Sequence, residues 1–381
     1  MKGRIAIAGA IAQKPGSAGH AWQFLQYLLG FRRLGYEVLF LDRLDGADAP
    51  REAAGIAWLS GVLGDVGLGD AWSLDLGAGR HAGVDRRAAL QFVADADLLL
   101  NVMGYLTDGA LLAAARRRVF LDTDPGFGQM WRALGLADVF AGHDVHVTIG
   151  EHIGSAGCTV PENGLNWITT PQPVILDEWP LSPPGGGCRF TSIASWRGAY
   201  GPIEYDGHTY GLRVHQFRRF AELPRRAGGA TFELALDIHP ADDADRARLS
   251  DGGWTIVPPA SVAPTPDGYR RYIQSSDAEI MVAKGIYVDS ASGWLSERSL
   301  CYLASGRPVL AQETGFSDLY PTGEGLLAFS TMEEAIAGVE AIRADPARHA
   351  AAARALAEQY FDSDRVLGRL LDRVGAAAVA S

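Results

Sequence analysis

The chain has 381 residues, of which 48% are hydrophobic and 21% charged, and its formal net charge is −11. This composition is that of a folded protein with more than one core, and it excludes a largely disordered chain. An acidic balance without a long basic run argues against a nucleic-acid partner. The sequence has no run of about 20 apolar residues that could span a membrane, and we expect a cytoplasmic location.

The first half of the chain alternates short, continuously apolar runs with helical patterns, which is typical of a parallel sheet covered on both faces. The predicted strands are 4–10, 37–42, 97–102, 118–122 and 144–150. The clearest helix is predicted at 20–34, where apolar residues recur at helical spacing until Gly35 ends it.

A segment at 171–187, "PQPVILDEWPLSPPGGG", interrupts this pattern with five prolines and three glycines and is predicted to be a flexible linker. Alternation then resumes, and a helical tail follows at 332–374. The predicted strands of this half are 189–195, 231–238, 254–258, 278–283, 307–312 and 325–329.

These patterns predict an α/β protein of two Rossmann-like, doubly wound domains that face each other across a cleft. We expect an acceptor-binding first domain at 1–170, the linker at 171–187 and a donor-binding second domain at 188–360. A C-terminal helix is expected at 361–381, with the option of packing back on the first domain.

The most specific stretch is "SGWLSERSLCYLASGRPVLAQETG", which is followed by "EGLLAFSTMEEAI". It resembles the nucleotide-sugar-dependent glycosyltransferases of GT-B architecture, similar to families 1 and 4, in which a Gly-rich turn, a helix ending in Ala-x-Gly-x-Pro-Val and a strand hold the donor. The opening "GSAGHAWQFLQYLLGFRRLGYEVLFLD" is similar to the first strand, loop and helix of these enzymes. Many retaining members carry two glutamates eight residues apart here, whereas this chain has non-acidic residues near Ser292 and at Cys301.

The resemblance, together with the attraction of helix amino termini and arginines for phosphate, implies a donor site at the carboxyl ends of the second-domain strands. The candidate donor-binding residues are Ser195, Arg197, Gly198, Lys284, Gly293, Ser296, Arg298, Glu313, Thr314 and Gly315. Arg298, on the first turn of the helix capped by Ser296, is expected to add a fixed charge beside the diphosphate.

A base for an acceptor hydroxyl is expected from the first domain, with His20 as the first candidate because histidine titrates near neutral pH. Asp122 and Asp124, in "FLDTDPGFG" after a predicted strand, are the alternatives. The tryptophans at 22, 131 and 167 are candidates to line an apolar acceptor site.

No metal site is expected, because the three cysteines lie far apart and the histidines within 143–152 match no compact ligand spacing. The predicted enzyme is a metal-independent, hexosyltransferase-like glycosyltransferase with a nucleoside diphosphate sugar as co-substrate and no other cofactor. Its partners are the nucleotide-sugar and a small-molecule acceptor, and a homo-oligomer is compatible with the sequence.

Three alternatives remain open at this point. The first is a nucleotide-sugar epimerase of the same fold, and the second is a catalytically silent GT-B partner subunit. A dinucleotide-dependent oxidoreductase ranks last, because the first turn lacks GxGxxG spacing.

Overall fold

The computed structural model describes residues 2–44, 46–183, 186–198 and 200–375. Residues 184–185 of the predicted linker and 376–381 of the predicted C-terminal helix lie outside these ranges. The described chain forms two open α/β sheets, which confirms the predicted fold class.

The first sheet contains eight strands in the order β4-β3-β2-β1-β5-β6-β7-β8, and all neighbours are parallel except β3 and β4. Its strands are β1 (Gly3–Ala8), β2 (Tyr36–Arg43), β3 (Trp72–Gly77), β4 (Arg80–Gly83), β5 (Leu98–Val102), β6 (Arg118–Asp122), β7 (Val145–Thr148) and β8 (Trp167–Thr169). Its helices are α1 (Ala18–Arg33), α2 (Ala49–Asp65), α3 (Arg86–Asp95), α4 (Gly109–Ala114) and α5 (Phe127–Ala133).

The second sheet contains six parallel strands in the order β13-β12-β9-β14-β15-β16, beside a small hairpin of β10 and β11. The strands are β9 (Arg189–Ser195), β10 (Ile203–Tyr205), β11 (His208–Tyr210), β12 (Thr231–Asp237), β13 (Thr255–Val257), β14 (Ala278–Met281), β15 (Val309–Gln312) and β16 (Leu326–Phe329).

The helices of the second half cover both faces of this sheet and continue into the tail. They are α6 (Arg213–Arg219), α7 (Leu223–Arg226), α8 (Asp243–Asp251), α9 (Pro259–Val262), α10 (Pro266–Gln274), α11 (Gly285–Asp289), α12 (Glu297–Ala304), α13 (Met332–Ala344), α14 (Pro346–Leu356) and α15 (Ser363–Arg373). Two 3₁₀ turns lie at Pro240–Asp242 and Phe316–Asp318, and a π-helical turn at Ala357–Phe361 joins α14 to α15.

Both sheets reverse their strand order next to the first strand of each half, between β1 and β5 and between β9 and β14. In open α/β sheets, ligands bind outside the carboxyl ends of the strands at such a reversal. The loops that follow β1, β6, β9 and β14 are therefore the ones that position a site.

The two halves are in direct contact through α1. Its Trp22 Nε1 donates a hydrogen bond to Pro266 O over 2.8 Å, and the Trp22 ring lies 4.9 Å from that of Trp179. The α15 helix also packs against α1, so the tail returns to the first half.

The segment predicted as a flexible linker is held in place where the structure describes it. Trp179 is completely buried, and Val174 forms a parallel bridge with Asp362. The apolar side chains of this stretch thus pack on the core despite the prolines, and its flexibility stays a prediction.

Candidate functional site

An ion pair joins the two halves at the carboxyl ends of their strands. Lys284, three residues after the end of β14, donates to both carboxylate oxygens of Asp124 over 2.7 and 2.8 Å. The Tyr287 hydroxyl donates to the same carboxylate. The side chains of Lys284 and Asp124 are 17% and 18% exposed, so the pair is shielded but reachable from the cleft.

Two further cations, Lys14 after β1 and Arg213 at the start of α6, lie near this pair. Loss of solvation lowers the pKa of Lys14, and the charge of Lys284 lowers it further. Burial lowers the pKa of Arg213 to about 10, with a further contribution from the charge of Arg298. We call Lys14, Asp124, Arg213, Lys284 and Tyr287 the cleft cluster.

The cleft cluster carries more positive than negative charge. Among the described residues, Arg213 Nε is buried without a hydrogen-bonding partner, and its NH1 makes only a 3.4 Å contact to Ser195 O. A guanidinium with a buried, unpaired N–H and no carboxylate partner is stabilised when an anion completes it. The arrangement therefore suits an anion such as phosphate.

Sequence reasoning missed Lys14, Arg213 and Tyr287. Lys14 and Arg213 had one usable signal, since each is a cation two positions from a glycine, between a predicted strand and the body of the next helix. Arg213 lies 18 positions after the end of β9, beyond the small β10–β11 hairpin, which hides this relation in the sequence.

His20 lies beside the cluster, but its titration differs from the expectation. Burial, together with the charge of Lys14, lowers the pKa of the imidazole to about 3. Its Nε2 lies 3.1 Å from Ala10 O, which fits a neutral ring donating to that carbonyl. The lowered pKa departs from the near-neutral value that was expected of His20, while its role as a base stays a prediction.

The two aspartates at the end of β6 make different contacts. Asp122 is buried and accepts hydrogen bonds from Gln129 Nε2 over 2.6 Å and Thr148 Oγ1 over 2.9 Å. It also accepts from the backbone N–H of Asp124 over 3.1 Å, and burial raises its pKa to about 6. Asp122 thus holds the turn, whereas Asp124 reaches the cleft.

Arg298 does not face the cleft with a free charge. Its Nε lies 2.5 Å from Glu279 Oε1, and its NH1 donates to Ile193 O over 2.7 Å. Arg298 is 6% exposed and Glu279 is fully buried. The structure places this arginine in a buried ion pair within the second domain, and its expected diphosphate contact stays untested. Ser296 does cap α12, accepting from the Arg298 N–H.

The turns at Gly293 and Gly315 lie side by side, since Gly293 N donates to Thr314 O over 2.7 Å. Both glycines have positive φ, and a Cβ on Gly315 would lie 2.6 Å from His152 Nδ1. A Cβ on Gly293 would lie 2.9 Å from His152 N. His152 of the first half thus lies against both glycines, in the space where a bound diphosphate would approach them.

The amides after Glu313 are also engaged. Glu313 Oε1 accepts from the N–H groups of Thr314 over 2.9 Å and Gly315 over 2.5 Å. These donors were expected to face a sugar, and the structure instead places them around the Glu313 carboxylate, which caps its own turn.

The residues of the loop after β9 also differ in their exposure and in their partners. Ser195 and Gly198 are exposed, and Ser195 contributes its carbonyl to Arg213. Arg197 Nε donates to Asp242 over 2.9 Å. Of the two arginines near this loop, Arg197 is thus paired with Asp242, and its expected diphosphate contact stays a prediction.

Many of the resembling enzymes carry a pair of glutamates at this turn and helix. The corresponding positions of this chain, near Ser292 and at Cys301, hold non-acidic residues. Cys301 is fully buried, and Gln26 Nε2 of α1 lies 3.5 Å from its Sγ. Within residues 2–44, 46–183, 186–198 and 200–375, no group of three histidine, cysteine or acidic side chains could hold a metal ion. In the same ranges, no helix is long and apolar enough to cross a membrane.

The architecture is that of GT-B proteins: two Rossmann-like domains with a charged cleft between the carboxyl ends of their sheets. Residues 244–372 match a family model described as glycosyl transferase-like. A search of curated proteins found no significant match.

Solved structures resemble the chain over nearly its whole length. An alpha-glucosyltransferase in complex with UDP is 14% identical, covers 98% of this chain and 100% of its own, and has a TM-score of 0.59. HepE of Anabaena, in complex with UDP and glucose, is 14% identical with coverages of 98% and 99% and a TM-score of 0.62. Sucrose-phosphate synthase of Thermosynechococcus elongatus is 10% identical with coverages of 98% and 100% and a TM-score of 0.57. The chain therefore has the GT-B glycosyltransferase fold.

Proposed function

We propose that the protein transfers a hexose from a nucleoside diphosphate sugar to a hydroxyl group of a small-molecule acceptor, without a metal ion or other cofactor. The observation that carries this proposal is the cleft cluster, in which Lys284 pairs with Asp124 and two further cations, Lys14 and Arg213, lie near the same carboxylate. The GT-B fold and the UDP found in two similar structures support it.

In this proposal Lys14, Arg213 and Lys284 bind the diphosphate. As the glycosidic bond breaks, negative charge grows on the departing phosphate oxygen, and fixed cations stabilise that charge most when water is excluded. A diphosphate competes with Asp124 for the Lys284 ammonium, so donor binding releases the Asp124 carboxylate.

The released carboxylate is the proposed base. The acceptor hydroxyl oxygen forms a bond to the anomeric carbon, the bond from that carbon to the phosphate oxygen breaks, and the hydroxyl proton passes to Asp124. Asp124 takes this role rather than His20, because its carboxylate reaches the cleft, whereas His20 Nε2 is engaged with Ala10 O.

Calorimetric titration with UDP, dTDP, GDP and ADP tests the donor site. We expect one of them to bind, and we expect Arg213→Met and Lys284→Met each to weaken binding about tenfold or more, since a hydrogen bond to a charged group contributes about 1.5–3 kcal/mol. Arg197→Met is the matched control, because Arg197 lies near the same loop but is paired with Asp242. Absence of binding by all four nucleotides, or equal effects of Arg213→Met and Arg197→Met, would contradict the proposal.

The same samples separate the two alternatives that share the fold, neither of which is favoured by a specific observation. Incubation with the matching nucleotide-sugar alone, followed by NMR, would reveal a C-epimer if the protein were an epimerase. Binding without turnover on any acceptor would indicate a silent partner subunit, and slow hydrolysis of the donor to free sugar and nucleoside diphosphate is the result expected here.

A further inference from the structure

An apolar groove of about 510 Å³ lies between the two halves, beside the cleft cluster. One wall comes from α5 and the residues after it, and the other from the segment leading into β10. It is lined by Trp131, Leu134, Leu136, Tyr200, Gly201, Pro202, Ile203 and Glu204. We refer to these residues as the apolar groove.

The groove exposes apolar surface that the fold itself does not use. Leu134 is 43% and Leu136 70% exposed, and in the described ranges Leu181 is the other large hydrophobic side chain with comparable exposure, at 62%. Two of these three leucines thus lie in one concave site. A concave site of this volume with apolar and aromatic walls is characteristic of small-ligand binding.

Aromatic rings connect the groove to the cleft cluster. The Phe127 ring centre lies 5.1 Å from Lys284 Nζ and 5.0 Å from the ring of Tyr200. Tyr200 in turn meets Trp131 edge-on at 4.8 Å. A ligand in the groove would therefore lie one ring away from the ammonium that pairs with Asp124.

The lining also selects the chemistry of the occupant. Its aromatic rings offer faces and edges that pack against another flat ring system. Glu204 is the charged lining residue, and in a chain of net charge −11 it disfavours a phosphate or an anionic membrane surface. The fitting occupant is a neutral aromatic molecule.

We infer that the apolar groove binds the aromatic body of the acceptor and so directs its hydroxyl group towards Asp124. This inference rests on the proposed sugar transfer, and it deepens that proposal by naming the acceptor class as hydroxylated aromatic compounds.

Equilibrium dialysis with 2-naphthol, a two-ring aromatic alcohol, tests the inference on the full chain in the presence of UDP. We expect saturable binding that Leu136→Asp weakens about tenfold, which corresponds to about 1.4 kcal/mol. Leu181→Asp is the matched control, because Leu181 is a comparably exposed leucine outside the groove, and it should leave 2-naphthol affinity unchanged. Both variants should keep the wild-type affinity for UDP.

Several outcomes would overturn the inference. If UDP binds but 2-naphthol does not, or if both leucine variants weaken 2-naphthol equally, the groove is not the acceptor site although the proposed donor site stands. If Leu136→Asp converts a wild-type dimer to a monomer in sedimentation, the groove is covered by a second copy. If it abolishes binding to phosphatidylglycerol vesicles, the groove meets a membrane surface. Binding of 2-naphthol by a protein that binds no nucleoside diphosphate would refute the sugar transfer and the acceptor role together.

Discussion

Replacing Arg298 by alanine separates a structural arginine from a ligand-binding one. Arg298 and Glu279 form an ion pair in which the carboxylate is fully buried, and Glu279 Oε2 has no hydrogen-bonding partner among the described residues. Burial alone would lower the pKa of Arg298, but the charges of Glu279, Tyr269 and Glu297 and the hydrogen bond to Glu279 together outweigh it and raise the pKa. The variant would leave a buried carboxylate without its counter-ion.

Breaking a buried ion pair from one side costs about 3–5 kcal/mol. For a domain of this size, each kcal/mol shifts Tm by about 2–4 °C, so we expect Arg298→Ala to lower the Tm of the second domain by about 6–20 °C. Replacing both partners, as in Glu279→Leu with Arg298→Met, should recover most of the loss, because apolar side chains of similar size avoid the burial of charge. Arg197→Ala should lose far less, since the Arg197 side chain is 54% exposed.

Differential scanning calorimetry measures these shifts, and UDP titration at 15 °C measures the ligand affinity of the folded variants. We expect UDP affinity to stay within about threefold of wild type in Arg298→Ala, which is less than 0.7 kcal/mol. A Tm within 2 °C of wild type, combined with a tenfold loss of UDP affinity, would refute this reasoning and return Arg298 to the phosphate site. In that case the ion pair with Glu279 would be dispensable.

Two further predictions concern the contacts between the halves. Burial raises the pKa of Glu151, which accepts a hydrogen bond from Tyr320, to about 7. A carboxyl whose pKa is raised on folding contributes stability that is fully present below its unfolded pKa of about 4.3. That stability is lost as the pH rises through the folded pKa of about 7. In urea unfolding, Glu151→Gln should therefore gain about 2–3 kcal/mol relative to wild type between pH 5 and pH 8, and a difference that does not change with pH would contradict this. Gly315→Ala should destabilise the protein by about 1–3 kcal/mol more than Gly323→Ala in the same assay, because both have φ near +100° but only the former would crowd His152. Equal losses, or no recovery on adding His152→Ala, would argue against that contact.

The sequence was sufficient for the architecture because parallel strands buried on both faces are continuous apolar runs. Each of the predicted strands overlaps one of the strands β1 to β16. The reversal of strand order in each sheet follows from right-handed crossovers. The β3–β4 hairpin was missed because "WSLDLGAGRHAG" is an edge element with charged and glycine residues, which lacks the continuous apolar signal.

The site was less predictable than the fold. The pattern of apolar residues assigns a side chain to a helix or strand, but it does not show which other side chain it will contact. Arg298 and Lys284 both follow the signals of a ligand-facing cation. Only the tertiary structure shows that Arg298 turns to Glu279 in the core while Lys284 reaches Asp124 in the other half. Glycines were similarly ambiguous: positive φ at Gly315 could be inferred from a turn, but the atom that approaches it belongs to a residue 163 positions away, His152.

The contacts between the halves also bear on how the cleft would work. Lys284 has one ammonium group, which the structure commits to Asp124, and His152 fills the space beside the two glycine turns. A diphosphate that recruits Lys284 must break this ion pair, so part of its binding free energy is used to separate the halves at that point. Because the pair is shielded but still 17–18% exposed, breaking it is less costly than breaking the fully buried pair of Arg298. The fold thus places its less costly ion pair where a ligand would enter and its fully buried one behind it.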